Sequence, residues 1–448
     1  MSTTRYPIGH PKLKSAWAFY DWANSVYSLV ISSAIFPIFY GALTIMKDDT
    51  TGEVLNDRVQ WLGMDFNNDT LISYVTAAAF IAVAILSPLL SGIADATGGK
   101  KNFMRAFCYL GALSCMGLFF FNTDNLTLGF ACYFLALVGF WGSLVFYNSY
   151  LPEIAEVEDQ DALSARGFSM GYIGSVMLLI ICLVLIEGYE IWGFSSKDLP
   201  TRLSFVLVGV WWIGFAQYTF SILPAGTARE GATRDGMLAS GFRELRATHN
   251  TVQAIPQLNR YLVAFFVYSM AVQTVMLVAT YFGVEEVNWG ANGSTMGLII
   301  SILLIQLVAI LGAWGTSKLA ARFGNLPMLI AINVVWIGLC CAAFFVYTPN
   351  QFYATAAVVG LVMGGIQSLS RSTFSKMLPQ DTKDTTSFFS FYDVSEKVGI
   401  VFGMIIYGTV AEFTGSMRYS VLILAAFFLV GVLLLLRVPR LQTKKAAQ

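Results

Sequence analysis

Long apolar segments alternate with short polar segments along almost the whole chain. A helix needs about 20 apolar residues to cross the hydrocarbon core of a bilayer, so each long segment predicts one membrane-spanning helix. The predicted spans are 17–43, 71–93, 103–121, 126–147, 168–186, 203–223, 261–282, 296–316, 327–347, 352–374, 388–410 and 419–436. The pattern therefore predicts an all-α polytopic membrane protein with twelve transmembrane helices.

The longest polar connection separates the sixth predicted span from the seventh. It covers residues 225–260 and divides the spans into six plus six. We expect an N-terminal six-helix bundle over residues 1–224, a cytoplasmic linker over 225–260 and a C-terminal six-helix bundle over 261–448.

The two halves carry similar short strings at similar places. Leu151-Pro152-Glu153 closes the fourth span and Leu378-Pro379-Gln380 closes the tenth, while residues 93–101 after the second span resemble residues 319–325 after the eighth. Many transporters consist of two related halves with the substrate site between them. The repetition predicts two parallel copies around a central site.

Composition agrees with a membrane protein. Hydrophobic residues make up 56% of the chain and charged residues only 12%, whereas about a quarter of the residues of a soluble domain are charged. Basic and acidic residues are equal in number, at 27 each, so the charge balance gives no indication of nucleic acid binding.

The distribution of Lys and Arg predicts the orientation. If the N-terminus is cytoplasmic, most basic residues fall in inner segments, and the outer loops hold Lys47, Arg58, Lys197, Arg202 and Arg418. Basic residues are retained on the cytoplasmic side. We therefore expect both termini in the cytoplasm, and the polar residues before the first span, with no cleavage site after it, predict no cleavable signal.

Enzyme chemistry finds little support in the sequence. The six cysteines lie inside predicted spans, the two histidines are far apart, and no phosphate-binding Gly-x-x-x-x-Gly-Lys-Ser/Thr motif occurs. We expect no catalytic residue, metal site or cofactor.

A carboxylate lies inside the first span. Asp21, Asn24, Ser25, Ser28 and Ser32 share one face of a helix. A charged residue at mid-membrane costs about 2.5 to 3.5 kcal/mol on insertion scales, so this face is expected to line a central cavity. The alternative is structural: Asp21 lies at the headgroups or accepts hydrogen bonds from a neighbouring helix.

The eleventh span contains three ionisable residues within two helical turns. Asp393 and Lys397 are four residues apart and can pair, and Glu396 lies close to the same face. The surplus negative charge is neutralised either by Arg371 of the tenth span or by a proton, and Gln367 lies one turn before Arg371. The three charges either serve transport or form an ion pair that fixes helix packing.

Several motifs resemble those of a known family. Asp95, Gly98 and Lys100 match the major facilitator loop signature Gly-x-Leu-Ala-Asp-Arg-x-Gly-Arg-Lys, although Ala96 and Gly99 replace two arginines. Four further strings resemble the vacuole effluxer-like branch of that superfamily: Asp21-Trp22-Ala23-Asn24-Ser25, Asn148-Ser149-Tyr150-Leu151-Pro152-Glu153, Gly171-Tyr172-Ile173-Gly174 and Gly364-Gly365-Ile366-Gln367-Ser368-Leu369-Ser370-Arg371-Ser372.

The resemblance implies the major facilitator fold and secondary transport, with amino acid export from the fungal vacuole as the best-known role. It also implies that Asp95 holds a gate at a helix end, with Lys100 and Arg166 as further gating residues. The membrane is then the inner membrane of a bacterium or the vacuolar membrane of a eukaryote.

Together these features predict a transporter in which two bundles rock around a central cavity. Its pathway residues are Asp21, Asn24, Ser28, Gln367, Arg371, Asp393, Glu396 and Lys397. Acids and bases in one cavity suit a small zwitterionic solute such as an amino acid, moved with a proton or another ion. The alternative is a transporter-shaped receptor or assembly platform that transports nothing.

Overall fold

The computed structural model describes residues 6–47, 54–226, 237–290, 295–379, 382 and 384–439. In this part of the chain, 12 helices are long and apolar enough to cross a membrane. They are α1 (Pro11–Thr44), α2 (Asn68–Thr97), α3 (Lys100–Gly117), α4 (Leu126–Asn148), α5 (Gln160–Glu187), α6 (Asp198–Ile222), α7 (Pro256–Glu286), α8 (Thr295–Phe323), α9 (Asn325–Ala343), α10 (Pro349–Met377), α11 (Thr385–Thr414) and α12 (Met417–Leu435). The predicted twelve spans are confirmed.

Several helices extend beyond the predicted apolar segments. α10 begins at Pro349, where Thr348 and Gln351 form a capping box that satisfies free backbone N–H groups. Hydropathy locates only the part of a helix that is apolar, whereas caps like this one set where the helix begins. The polar ends are important because the two halves contact each other there.

The middle of α1 is not an α-helix. Residues Tyr27–Ile35 form a π-helix between the α-helical segments Pro11–Val26 and Phe36–Thr44. Pro37 lies two residues after the end of this segment and has no backbone N–H, so it cannot complete the normal ladder of hydrogen bonds. The hydropathy pattern did not predict this segment, which includes Ser28 and Ser32.

Two short antiparallel strand pairs lie between α1 and α2. β1 (Met46–Lys47) pairs with β2 (Val54–Asn56), and β3 (Arg58–Trp61) pairs with β4 (Met64–Asn67). The second turn has positive φ at Leu62 and Gly63, as tight two-residue hairpins require.

Buried apolar side chains form two large clusters. One contains residues from Leu13 to Leu223, and the other contains Tyr172 together with residues from Val252 to Val438. Contacts between the halves are made mainly by α2 with α11 and by α5 with α8 and α10. We propose that the bundles correspond to residues 1–224 and 261–448.

The predicted linker contains a helix, Met237–Ala254, that packs mainly against α2 and also contacts α7 and α11. Linker residues 227–236, Lys383 in the α10–α11 connection and the basic tail from Arg440 onward lie outside the described residues.

Candidate functional site

Polar contacts between the halves are concentrated towards one end of the molecule. α1 begins at this end, which we call the terminal face, and the α2–α3, α4–α5, α8–α9 and α10–α11 connections lie there too. The start of α1 is held at this face: the backbone N–H of Gly9 donates to the carbonyl of Ile154 at 2.9 Å, and Lys14 pairs with Asp159 at 2.5 Å.

Arg371 of α10 reaches into the N-terminal half. Its Nε donates to Ser164 Oγ at 2.9 Å and its Nη2 to the Ser164 carbonyl at 3.0 Å. Its Nη1 donates to Asn148 Oδ1 at 3.1 Å, and both terminal nitrogens lie 3.4 Å from Asp21 Oδ2. We call Asp21, Tyr147, Asn148, Ser164 and Arg371 the arginine cluster. It connects α10 with α1, α4 and α5.

Aromatic rings surround the guanidinium group. Its carbon lies 4.2 Å from the ring centre of Phe168, 4.7 Å from that of Trp17 and 5.5 Å from that of Tyr147. Tyr147 also donates its hydroxyl to Asp21 Oδ2 at 2.7 Å. Cation–π contacts and charge-assisted hydrogen bonds offset part of the cost of removing both charges from water.

Burial separates these charges from bulk water. The exposed fractions are 4% for Asp21 and 3% for Arg371. The structure corrects one expectation: Arg371 pairs with Asp21 and does not neutralise the charges of α11. The prediction that Arg371 neutralises the α11 charges considered the eleventh span alone. Asp21, on a different helix, was also available as a partner for Arg371.

Three other predicted pathway residues lie near the arginine cluster in sequence. Asn24 is buried one turn after Asp21, and its Nδ2 has no hydrogen-bond partner among the described residues. Ser28 is half-buried in the π-helix. Gln367, one turn before Arg371, accepts a hydrogen bond from Tyr172 of α5 at 2.8 Å, so it also joins the two halves.

The predicted ion pair of α11 is confirmed. Lys397 Nζ lies 2.9 Å from Asp393 Oδ1 and 2.7 Å from Glu396 Oε2. We call these three residues the α11 triad. With both acids ionised the triad carries one surplus negative charge.

Residues from three other helices contact the α11 triad. Lys397 Nζ lies 3.6 Å from the ring centre of Trp141 in α4. Ser87 of α2 donates to Asp393 Oδ2 at 3.4 Å, and Gln273 of α7 donates to Glu396 Oε1 at 2.6 Å. The triad therefore also lies where the two halves meet.

Asp95 connects the halves at the terminal face. Its carboxylate accepts the backbone N–H groups of Thr386 at 3.3 Å and Ser387 at 2.7 Å, in the first turn of α11. A carboxylate is favourable there because the first N–H groups of a helix lack intrahelical partners and the helix dipole is positive at this end. Asp95 therefore links α2 of one half to α11 of the other, and we propose that it acts there as the gating residue that the family resemblance implies.

Lys100 and Glu153 extend the same contact. Lys100 pairs with Glu153 and donates to Thr385 Oγ1 at 2.8 Å, while Thr385 donates to Glu153 at 2.5 Å. Lys100 is almost fully buried. The first residues of α11 are thus held by polar side chains from α2, α3 and the α4–α5 connection.

A related contact holds α5 to the C-terminal half. Asp161 at the start of α5 accepts hydrogen bonds from Asn325 Nδ2 at 2.7 Å and Lys376 Nζ at 2.5 Å. Arg166, predicted as a gating residue, does not take part: it donates to Ser15 at 3.3 Å, within its own half. Asp161, rather than Arg166, connects the halves there.

Some residues of these clusters were not singled out from the sequence. Glu153 and Asp161 could have been found from the sequence, because their loop is acidic whereas the other inner segments are basic. Trp141 and Tyr147 had none, since aromatic residues are abundant in the spans. Among the described residues no group of three His, Cys, Asp or Glu side chains could hold a metal.

We expect Asp95→Ala to weaken the closed terminal face. The substitution leaves two N–H groups of α11 without their acceptor, which costs about 1 to 3 kcal/mol for a buried group. A cysteine introduced at Ser387, which hydrogen-bonds to Asp95 through its backbone N–H and not through its side chain, should then be labelled more rapidly in Asp95→Ala than in an otherwise wild-type background. Asp65→Ala in the β3–β4 hairpin is the control, since Asp65 pairs with Arg58 inside one half. Equal labelling in all three proteins would show that Asp95 has no role in gating.

Comparison with known proteins agrees with this architecture. The sequence pattern of the family described as "Vacuole effluxer Atg22 like" matches residues 10–448. The MFS-type transporter YxiO of Bacillus subtilis is 30% identical over 430 residues, which cover 96% of this chain and 95% of YxiO. Autophagy-related protein 22 of Vanderwaltozyma polyspora is 25% identical over 423 residues, covering 84% of this chain and 78% of that protein.

Solved structures show the same fold. A variant of the E. coli fucose:proton symporter FucP superposes with a TM-score of 0.66 at 15% identity, covering 96% of this chain and 98% of FucP. The proton:xylose symporter XylE superposes with a TM-score of 0.69 at 10% identity, covering 96% of each chain. The helices, their arrangement and the family match lead to one conclusion: the chain belongs to the vacuole effluxer Atg22-like family of major facilitator transporters.

Proposed function

We propose that the protein is a secondary active transporter that moves a small zwitterionic solute, such as an amino acid, by alternating access. The observation that carries the proposal is the arginine cluster, a buried ion pair whose two charges come from different halves of the molecule. A transporter of this type must break and remake contacts between its halves in every cycle. Because these charges are buried and their partners lie on the opposite half, a bound solute or ion strongly changes the stability of the contacts between the halves.

The charges also suggest the substrate class. Arg371 offers a planar group that matches a carboxylate, and the α11 triad offers two carboxylates that match an ammonium group. A zwitterion presents both groups at once. Because its net charge is zero, a zwitterion also costs less to bury than an ion does. The description of the family as vacuole effluxers supports transport of a solute across a membrane.

A proton is the coupling ion that the α11 triad favours. Its surplus negative charge is neutralised by one proton, and Glu396 is its most accessible acid, with 16% of the side chain exposed against 7% for Asp393. Two solved structures with this fold are of proton symporters, which is consistent with a proton as the coupling ion.

For the membrane location we propose that the terminal face is cytoplasmic, as the Lys and Arg distribution predicts. Relatives occur in a bacterium and in fungi. We infer the inner membrane for a bacterial source and the vacuolar membrane for a eukaryotic one.

Transport by the purified protein in sealed vesicles tests the proposal. We expect vesicles with an imposed pH gradient to accumulate at least one zwitterionic amino acid from a mixture of amino acids, sugars and organic acids, and a protonophore to stop the accumulation. In Glu396→Gln, accumulation driven by the gradient should be lost while exchange of the same solute persists. The measurement is the labelled solute retained by the vesicles.

Glu412→Gln is the matched control, because Glu412 is an exposed carboxylate on the same helix. Its accumulation should equal that of the wild type. If no solute moves under any imposed gradient, transport is refuted and a receptor or assembly platform takes its place. If solute moves but Glu396→Gln keeps full gradient-driven accumulation, only the assignment of the proton to Glu396 fails.

A further inference from the structure

A cavity outside the interface between the halves lies between the start of α7 and the end of α12. Its volume is about 450 Å³, within the range of ligand sites, roughly 300 to 1,000 Å³. The lining residues are Asn259, Arg260, Val263, Leu434 and Arg437. The cavity is at the terminal face and on the outer surface of the C-terminal half, so it is separate from the proposed substrate pathway.

The walls of this cavity are connected to each other. Arg260 Nη1 donates to the carbonyl of Arg437 at 3.1 Å, and Gln257 Nε2 donates to the carbonyl of Pro439 at 3.0 Å. These bonds hold the end of α12 against the first turns of α7. Arg260 at the start of α7 and Arg437 just after the end of α12 both line the cavity.

The chemistry of the lining divides into a cationic part and an apolar part. Arg260, Arg437 and the amide of Asn259 supply donors suited to a phosphate. Val263 and Leu434 supply apolar contacts. The apolar surface continues outside the cavity, where Leu433 and Leu436 are 52% and 63% exposed.

An anionic phospholipid has the same division. Its phosphate is an anion, its acyl chains are apolar, and the two parts meet at the depth where a spanning helix ends. Basic pockets between membrane helices are suited to such headgroups. A free phosphate ion would use the arginines but would leave the adjoining apolar surface unused.

We propose that this cavity binds an anionic phospholipid, with its phosphate between Arg260 and Arg437 and its acyl chains along Val263 and Leu434. The bound lipid joins the ends of α7 and α12. Because α7 follows the linker helix Met237–Ala254 directly, the lipid also holds the C-terminal end of the linker at the membrane surface.

Lipid binding to the purified protein in detergent tests the proposal. Native mass spectrometry should show tighter binding of phosphatidylglycerol than of phosphatidylcholine with the same acyl chains. Each arginine is expected to contribute about fivefold in affinity, equivalent to about 1 kcal/mol. Arg437→Gln should weaken binding by about that factor, and it leaves the Arg260 hydrogen bond in place because that bond uses the Arg437 carbonyl.

Arg322→Gln is the matched control. Arg322 is an exposed arginine in the last turn of α8, at the terminal face of the same half. It should bind phosphatidylglycerol like the wild type. Equal binding of the two lipids by the wild type, or equal weakening in Arg322→Gln and Arg437→Gln, would overturn the proposal. Full competition by inorganic phosphate at equal concentration would also overturn it, by assigning the cavity to a free anion.

Discussion

Arg371→Gln is expected to abolish transport and to open the terminal face. The guanidinium group donates to Ser164, Asn148 and Asp21, all in the opposite half. Removing it leaves the buried carboxylate of Asp21 without its cation, and breaking a buried pair in this way costs about 3 to 5 kcal/mol. Alternating access would separate the two halves when the terminal face opens, so we expect the loss to fall mainly on the closed state.

A change of that size shifts the balance between closed and open states by roughly 150-fold to 5,000-fold. Two measurements check it: uptake in sealed vesicles, and labelling of a cysteine introduced at Ser368, whose carbonyl accepts a hydrogen bond from Ser164 at 2.7 Å. We expect uptake to fall to background and labelling to become rapid. Arg371→Lys should recover only part of the loss, because an ammonium group cannot reproduce the planar set of donors.

Arg418→Gln is the control, because Arg418 is another largely buried arginine with a carboxylate partner. Arg418 pairs with Glu286 at 2.7 Å, and both residues belong to the C-terminal half. This variant should have a lower melting temperature but unchanged labelling at Ser368. If Arg371→Gln behaves in the same way, with normal labelling and normal uptake, the arginine cluster serves stability alone and the alternating-access role assigned to it is wrong.

The twelve spans could be predicted because apolar length is a local property that the bilayer imposes on each helix separately. The π-helix of α1 and the strands between α1 and α2 could not. An apolar window has the same hydropathy in an α-helix and in a π-helix, so hydropathy does not distinguish them. Strands of two to four residues are too short to change a hydropathy pattern.

The α11 triad and the arginine cluster differ in the same respect. Asp393 and Lys397 are four residues apart on one helix, so their pairing follows from helix geometry. Arg371 and Asp21 are 350 positions apart, and only the packing of α10 against the N-terminal half brings them together. The sequence supplied the charged residues of both clusters, but not which charge from another helix each would meet.

The last prediction asks whether the α11 triad works in transport or only holds the helices together. Asp393→Asn combined with Lys397→Gln removes the buried pair, which is often neutral for stability. Glu396 then loses its cation but is partly exposed and keeps the hydrogen bond from Gln273. Lys397→Gln alone leaves two carboxylates without their cation, and breaking a buried pair in this way costs about 3 to 5 kcal/mol. We therefore expect the double variant to have a melting temperature near that of the wild type, and the single variant a much lower one.

Transport should separate the two roles. If the triad is part of the pathway, the double variant folds but takes up no solute, because Glu396 has lost the cation that contacts it at 2.7 Å and Trp141 has lost the cation over its ring. Uptake in sealed vesicles and the melting temperature are measured on the same preparations, with Lys197→Gln as the control, since Lys197 pairs with Glu187 in an exposed position. A double variant that takes up solute at the wild-type rate would show that the triad is a structural ion pair, and the pathway would then have to be sought around Arg371, Asp21 and Gln367.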